Sequence, residues 1–205
     1  MIKNIVFDIG AVLVGYNPNN YAEKVNISIE NLDKAHEILV HTKEWRDYLD
    51  GNIENAEILE RLINQNPEYM EEFELLILKE NTKHITYEIK ENTDLLKKLA
   101  NTYNIYLLSN ITKETMDSFK EIYDFEKKTK GAVYSYEAHM GKPHKEIYDL
   151  LFSKYNLKPN ECIFIDDKLH NIEKANELGM IGIQYTNYEN LINELGGKLK
   201  WIFKI

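Results

Sequence analysis

Apolar residues fill most of residues 2–7, and an acid, Asp8, stands where that run stops. A short run apolar on both sides predicts a strand covered on both faces. Gly10, Gly15, Pro18 and the asparagines around Pro18 mark residues 10–18 as a turn segment. The period then becomes helical. Leu32, Ala35, Ile38 and Leu39 share one face, and so do Ala56, Leu59, Leu62 and Ile63. Phe73, Leu76, Ile77 and Glu80 suggest a third helix beginning after Pro67. Between the first two, the stretch from Trp45 through Tyr48 reads as a helix end closed by Gly51. Residues 19–83 hold no convincing strand and read as a helical insertion.

From about residue 87 helices and strands alternate. Ile89, Leu96, Leu99, Ala100 and Tyr103 line a helix, followed by a strand at 104–108. Met116, Phe119, Ile122 and Tyr123 line the next helix, and 132–136 is a short strand or extended loop. Pro143 is placed to open a helix with the stripe Ile147, Leu150, Leu151 and Tyr155. A strand at 162–165, a helix carrying Ile172, Ala175 and Leu178 that Gly179 ends, and a strand at 181–184 complete the series. The order predicts an α/β fold, a mainly parallel sheet with helices on both faces. Residues 1–18 and 84–205 would form the core, and 19–83 the insertion. In the tail Leu199, Trp201, Phe203 and Ile205 alternate with Lys198, Lys200 and Lys204, the pattern of an edge strand guarded by charge. A dimer contact there is the alternative, so monomer and homodimer both stay open.

Composition narrows the function classes. The chain has 205 residues, 43% of them hydrophobic, enough for one ordinary core and a subdomain. Net charge is −9 with no cluster of Lys and Arg, which disfavours nucleic acid and anionic membranes as partners. No apolar run approaches the ~20 residues of a membrane span, and Asp8 interrupts the only leader-like stretch. The single cysteine, Cys162, begins an apolar run and reads as a small buried hydrophobe. One thiol forms no internal disulfide, so a reducing, cytoplasmic location is expected.

Ligands of open parallel sheets bind beyond the carboxyl ends of the strands. Asp8 follows the first predicted strand, Ser109 and Asn110 the next, Gly141-Lys142-Pro143 comes after the stretch at 132–136, and Asp166-Asp167 after 162–165. Each alone has an ordinary reading: a strand-end acid, a cap, a solvated lysine, an acidic helix start. Together they suggest one rim. At ~4 Å and an effective dielectric of ~20, each pair of carboxylates costs on the order of 4 kcal/mol. A hard divalent cation removes that cost, and Mg2+ suits a small carboxylate set with phosphate. Asp8 could then attack phosphorus. Ser109 and Lys142 could hold the phosphoryl oxygens, and the helix beginning near Lys113 could offer N–H groups to the same anion.

Phe-Asp-Ile-Gly at Asp8, Leu-Leu-Ser-Asn at Ser109, Gly-Lys-Pro at Lys142 and Phe-Ile-Asp-Asp at Asp166-Asp167 resemble the motifs of the haloacid dehalogenase-like (HAD) hydrolases. The resemblance spans residues 2 to about 185. It implies a Rossmann-like core, a small helical cap of the superfamily's first subclass, and an aspartyl-phosphate intermediate at Asp8. It also implies Mg2+ held by Asp8, the Gly10 carbonyl, Asp166 and Asp167, with Asp167 the more direct of the last two. Catalytic residues would be Asp8, Ser109 and Lys142; phosphate contacts would come from Ser109, Asn110 and Lys142. Trp45, Tyr48 and Gly51 further resemble sugar-phosphate phosphatases of the glucose-1-phosphate type and the phosphatase domain of soluble epoxide hydrolases. The expected activity is magnesium-dependent hydrolysis of a small phosphorylated metabolite, a sugar phosphate among the candidates.

One position departs from the common pattern. Most phosphatases of this superfamily carry a general acid–base aspartate two residues after the nucleophile, where this chain has Gly10. Two rivals follow: a non-catalytic phospho-ligand binder, and a metal-independent carbon–halogen hydrolase, against which the Asp166-Asp167 pair argues. His139, His144 and His170 fall near the rim in sequence and read as structural or exposed, with a substitute proton donor as the alternative. Trp45 and Tyr48 read as cap core before substrate contacts.

Overall fold

Ile5, Val6 and Phe7 are wholly buried because strand β1 (Asn4–Phe7) lies in the middle of a parallel sheet. The computed structural model describes residues 1–199. After β1 the chain makes a tight turn and enters β2 (Val14–Tyr16). Six helices follow: α1 (Asn19–Lys24), α2 (Ile29–His41), α3 (Lys43–Leu49), α4 (Asn55–Gln65), α5 (Met70–Ile77) and α6 (Thr82–Ile85). Strand β3 (Thr86–Glu88) returns antiparallel to β2. The rest alternates: α7 (Lys90–Leu99), β4 (Asn104–Ser109), α8 (Lys113–Ile122), β5 (Gly131–Tyr134), α9 (Ser135–Ala138), α10 (Lys145–Tyr155), β6 (Cys162–Asp166), α11 (Leu169–Glu177), β7 (Ile181–Gln184) and α12 (Tyr188–Lys198).

The main sheet has five strands in the order β5-β4-β1-β6-β7, all parallel. The chain builds outward from β1 on one side, then crosses to the other. The carboxyl end of β1 therefore sits at the point where strand order reverses, the usual crevice for a ligand. Alternate side chains separate the two faces. Ile5, Phe7, Ile105, Leu107, Ile163 and Ile165 pack with residues of α7, α8 and α12. Val6, Tyr106, Leu108, Cys162 and Phe164 pack with α10 and α11 on the other face. Each fully buried side chain of this size stabilises the fold by ~1.5–3 kcal/mol.

The helical block has its own apolar centre. Ala35, Leu39, Ile58, Leu62 and Phe73 form one cluster; Ala22, Leu32, Leu75 and Ile85 form a second. Ser28 caps α2 by accepting from Asn31 N–H, and Thr42 caps α3 by accepting from Trp45 N–H at 3.1 Å.

The α/β reading holds, and several details change. The turn segment at 10–18 contains β2, which pairs with β3 to make a two-stranded neck where the chain leaves and re-enters the core. Three-residue strands are too short to show a period. Residues 132–136 split between β5 and α9, so Tyr136 is helical. Pro143 stands in the turn before α10, ahead of its N-cap His144, rather than in the helix. The helix expected after Pro67 is α5, which ends at Ile77 and leaves Glu80 in a 3-10 turn. Lys198 closes a helix instead of starting a strand, and residues 200–205 of the expected edge strand lie outside the described residues. Among the described residues no helix is long and apolar enough to cross a membrane.

Candidate active site

Three adjacent strands deliver the site. Phe7 pairs with Leu107 on β4 and Ile165 on β6, so Asp8 and Asp166 follow side by side and Ser109 lies one residue further along at the same edge. Asp8 N–H still donates to Ile165 O at 2.9 Å, which fixes its backbone to the neighbouring strand. Its Oδ1 accepts from Ile9 N–H at 2.7 Å.

Lys142 comes from the loop after α9. Its Nζ lies 2.9 Å from Asp8 Oδ1 and 2.6 Å from Asp166 Oδ2. The lysine side chain is 1% exposed and that of Asp166 0%, so this ion cluster is out of water. A buried charge persists only when paired and hydrogen-bonded. Asp166 meets that condition: Oδ1 accepts from Lys168 N–H at 2.8 Å, and Asn171 Nδ2 reaches both oxygens at 3.0 Å.

Burial pushes the Asp8 carboxyl up to about 6; Lys142 opposes, Asp166 adds to the rise, and Ser109 contributes a smaller lowering. For Lys142, burial alone would lower the ammonium's pKa, but Asp8 and Asp166 outweigh it and the value is raised. The pair therefore resembles a charge-assisted contact already formed before any ligand arrives.

One carboxylate oxygen from each of Asp8, Asp166 and Asp167 lies within 4.8 Å of the other two. Asp167 also pairs with Lys168 at 2.9 Å, but that lysine side chain is 63% exposed and screens weakly. An all-oxygen, acid-rich set of this size fits a hard divalent cation.

Asn110 is held at both ends of its amide. Its Oδ1 accepts from Lys142 N–H at 2.7 Å and its Nδ2 donates to Lys142 O at 2.9 Å. Ser109 is 1% exposed. Helix α8 begins at Lys113, as expected, yet its cap is occupied: Thr112 Oγ1 accepts from Thr115 N–H, and Ile111 N–H donates to Ser135 Oγ.

The helical block meets the core beside this site. Tyr48 is buried, donates to Glu114 Oε2 at 2.9 Å across the junction, and accepts from Asn55 Nδ2 at 2.8 Å. Ser135 Oγ donates to Leu49 O. Gly51 has φ +66°, and a Cβ there would lie 2.5 Å from Tyr136 O, so glycine permits this close approach. His139, His144 and His170 are all exposed. The histidine that sequence reasoning missed is His36, which lines a cavity with Gly10 and Asn110. Only the tertiary packing of α2 brings it there, and no motif marks it.

A family model of haloacid dehalogenase-like hydrolases matches residues 2–179. The chain belongs to the haloacid dehalogenase-like hydrolases. Among similar proteins, this HAD-like hydrolase is 27% identical to a D-ribitol-5-phosphate phosphatase of Bacteroides thetaiotaomicron, covering 95% of this chain and 97% of that protein. It is 25% identical to a sesquiterpene phosphatase of Aspergillus oryzae, covering 90% of each. A HAD family enzyme of Bacteroides thetaiotaomicron, crystallised with magnesium and inorganic phosphate, superposes with a TM-score of 0.72 at 23% identity over 93% of this chain and 99% of that one. At that identity the likeness shows the fold. The Rossmann-like HAD architecture expected from the motifs is thus the one found.

Proposed function

We propose that this HAD-like hydrolase is a magnesium-dependent phosphatase that cleaves a small phosphorylated metabolite through an aspartyl phosphate at Asp8. The observation that carries the reading is the buried meeting of Asp8, Lys142 and the Asp166-Asp167 pair. Phosphatase relatives covering nine-tenths or more of the chain support it.

Asp8, the Gly10 carbonyl, Asp166 and Asp167 would hold the ion. When bound, magnesium supplies charge neutralisation between the carboxylates and the phosphoryl group. Asp166 already spends its oxygens on Lys142, Lys168 N–H and Asn171, which favours Asp167 as the more direct ligand. Ser109 and Lys142 hold the phosphoryl oxygens as charge develops. Asn110 contributes by positioning Lys142. An Asp8 oxygen bonds to phosphorus as the bond from phosphorus to the ester oxygen breaks. The alcohol leaves with that electron pair and takes a proton. Water then attacks phosphorus, releasing inorganic phosphate and free Asp8. Residues 19–83 cover the site as a cap on the core of 1–18 and 84–205.

Gly10 provides no side-chain acid, so the leaving group's proton comes from water or another residue. Rate should therefore fall steeply with rising leaving-group pKa. The test is turnover of acetyl phosphate and a phosphate-ester panel with magnesium, against EDTA and Asp8→Asn. Metal-dependent turnover lost in the variant supports the reading. Gly10 also keeps a second reading, a non-catalytic phospho-ligand binder; tight phosphate-ester binding without turnover would favour it.

A further inference from the structure

A cavity of about 260 Å³ opens between the helical block and the core, and Gly10 and Asn110 form part of its wall. Those residues stand two positions after Asp8 and one after Ser109, so the cavity opens beside the proposed phosphoryl site. We infer that it receives the organic part of the substrate, and that this part is an apolar alcohol of ring or branched-chain size rather than a polyol. The inference rests on the phosphatase reading and adds the substrate class.

The lining carries the argument. Val14, Leu39, Val40, Trp45, Leu76 and Phe119 contribute apolar surface from both sides of the junction. Several of the polar groups between them are already engaged. Thr86 Oγ1 donates to Thr82 O at 2.7 Å, and Thr112 Oγ1 donates to Thr115 Oγ1 at 2.9 Å. Both ends of the Asn110 amide are held by the Lys142 backbone. A polyol would surrender its water hydrogen bonds here for few replacements, and an unpaired buried hydroxyl is costly. His36 and Tyr16 stack with ring centroids 5.7 Å apart. Tyr16 is 45% exposed, which puts this polar corner on the solvent side. Burial lowers the pKa of His36, with Asp33 opposing, so the ring is neutral at pH 7 and adds no charge to the wall.

Size agrees. An apolar cavity of about 150 Å³ is enough to bind benzene. The present one holds a ring with further carbons attached.

The experiment compares kcat/KM of the magnesium-loaded wild type for hexyl and benzyl phosphate with that for ribitol 5-phosphate and glucose 6-phosphate. All four release primary alkoxides, so leaving-group chemistry is closely matched. Acetyl phosphate, whose small acyl group asks little of the cavity, reports the phosphatase reading separately. The apolar esters are expected to lead by at least about tenfold, the low end of what burying one methylene supplies. Val40→Asn, at a half-buried wall position, should cut the hexyl-to-ribitol ratio by about tenfold. If acetyl phosphate is hydrolysed while the polyol esters equal or exceed the apolar ones, the inference is overturned and the phosphatase stands. An unmoved ratio in a folded Val40→Asn protein likewise overturns the assignment of this cavity. If neither acetyl phosphate nor any ester is turned over, both readings fall.

Discussion

Asn110 grips the backbone of Lys142 at both its N–H and its carbonyl, at 2.7 and 2.9 Å. The residue after one strand thus sets the position of a lysine supplied by a distant loop. Gly141 allows the approach, since a Cβ there would sit 2.8 Å from the Asn110 side chain. Asn110→Ala should lower kcat by about tenfold to 100-fold, the equivalent of losing hydrogen bonds worth ~1–3 kcal/mol. Magnesium affinity, measured by calorimetry, should change far less. Equal losses in both would mean that Asn110 acts beyond Lys142.

Lys142 is the only ammonium against two buried carboxylates among the described residues. Lys142→Met should destabilise the metal-free protein by ~3–5 kcal/mol at pH 7, the cost of leaving buried charge unpaired. Urea unfolding measures it. Part of the loss should return with magnesium, and a variant as stable as wild type would contradict the ion cluster.

A raised carboxyl pKa has a definite sign. Asp8 moves from an ordinary 3.8 to about 6, chiefly through burial. Between those values the folded metal-free protein holds a proton that the unfolded chain has released. This group therefore destabilises the fold above about pH 6, and stability from it rises as pH falls toward 3.8. Magnesium needs the carboxylate, so its apparent affinity should weaken by up to about tenfold per pH unit below that pKa. Thermal shift with and without magnesium, scanned from neutral to acidic pH, should show a stabilisation that shrinks through about pH 6. A shift independent of pH would remove Asp8 from the metal site.

A Cβ built at Gly10 meets nothing within 4 Å. The first carbon of a side chain therefore has open space there. Gly10→Asp is expected to raise kcat for alkyl phosphates by up to ~10²-fold, the low end for a positioned acid–base group. The gain should be smaller for acetyl phosphate, whose leaving group needs less help. A fall in turnover for both substrate types would show that the glycine is itself required.

The sequence displayed the core through strands buried on both faces: Ile5, Val6 and Phe7 could be read without a partner in view. It displayed Asp8, Ser109 and Asp166 because parallel topology brings strand ends together whatever lies between them, and Lys142 joins them from the loop after α9. The neck of β2 and β3 was hidden, since three residues carry no period. Helix α12 was hidden by two glycines in its last turns and by an alternating tail that begins at its final residue. Asn110 could be placed at the site but not in its clamp, because an amide's partners depend on loop geometry. The cavity wall was unreadable for the same reason. Val40 and Trp45 belong to one side and Phe119 to the other, and only the docking of two packed bodies makes them neighbours.

Acid quenching of a single turnover with radiolabelled acetyl phosphate and magnesium, followed by peptide mapping, tests the central claim most directly. Label bound covalently to the peptide carrying Asp8, absent with EDTA and in Asp8→Asn, is the expected result. Turnover that leaves Asp8 unlabelled, or that survives Asp8→Asn, would contradict it.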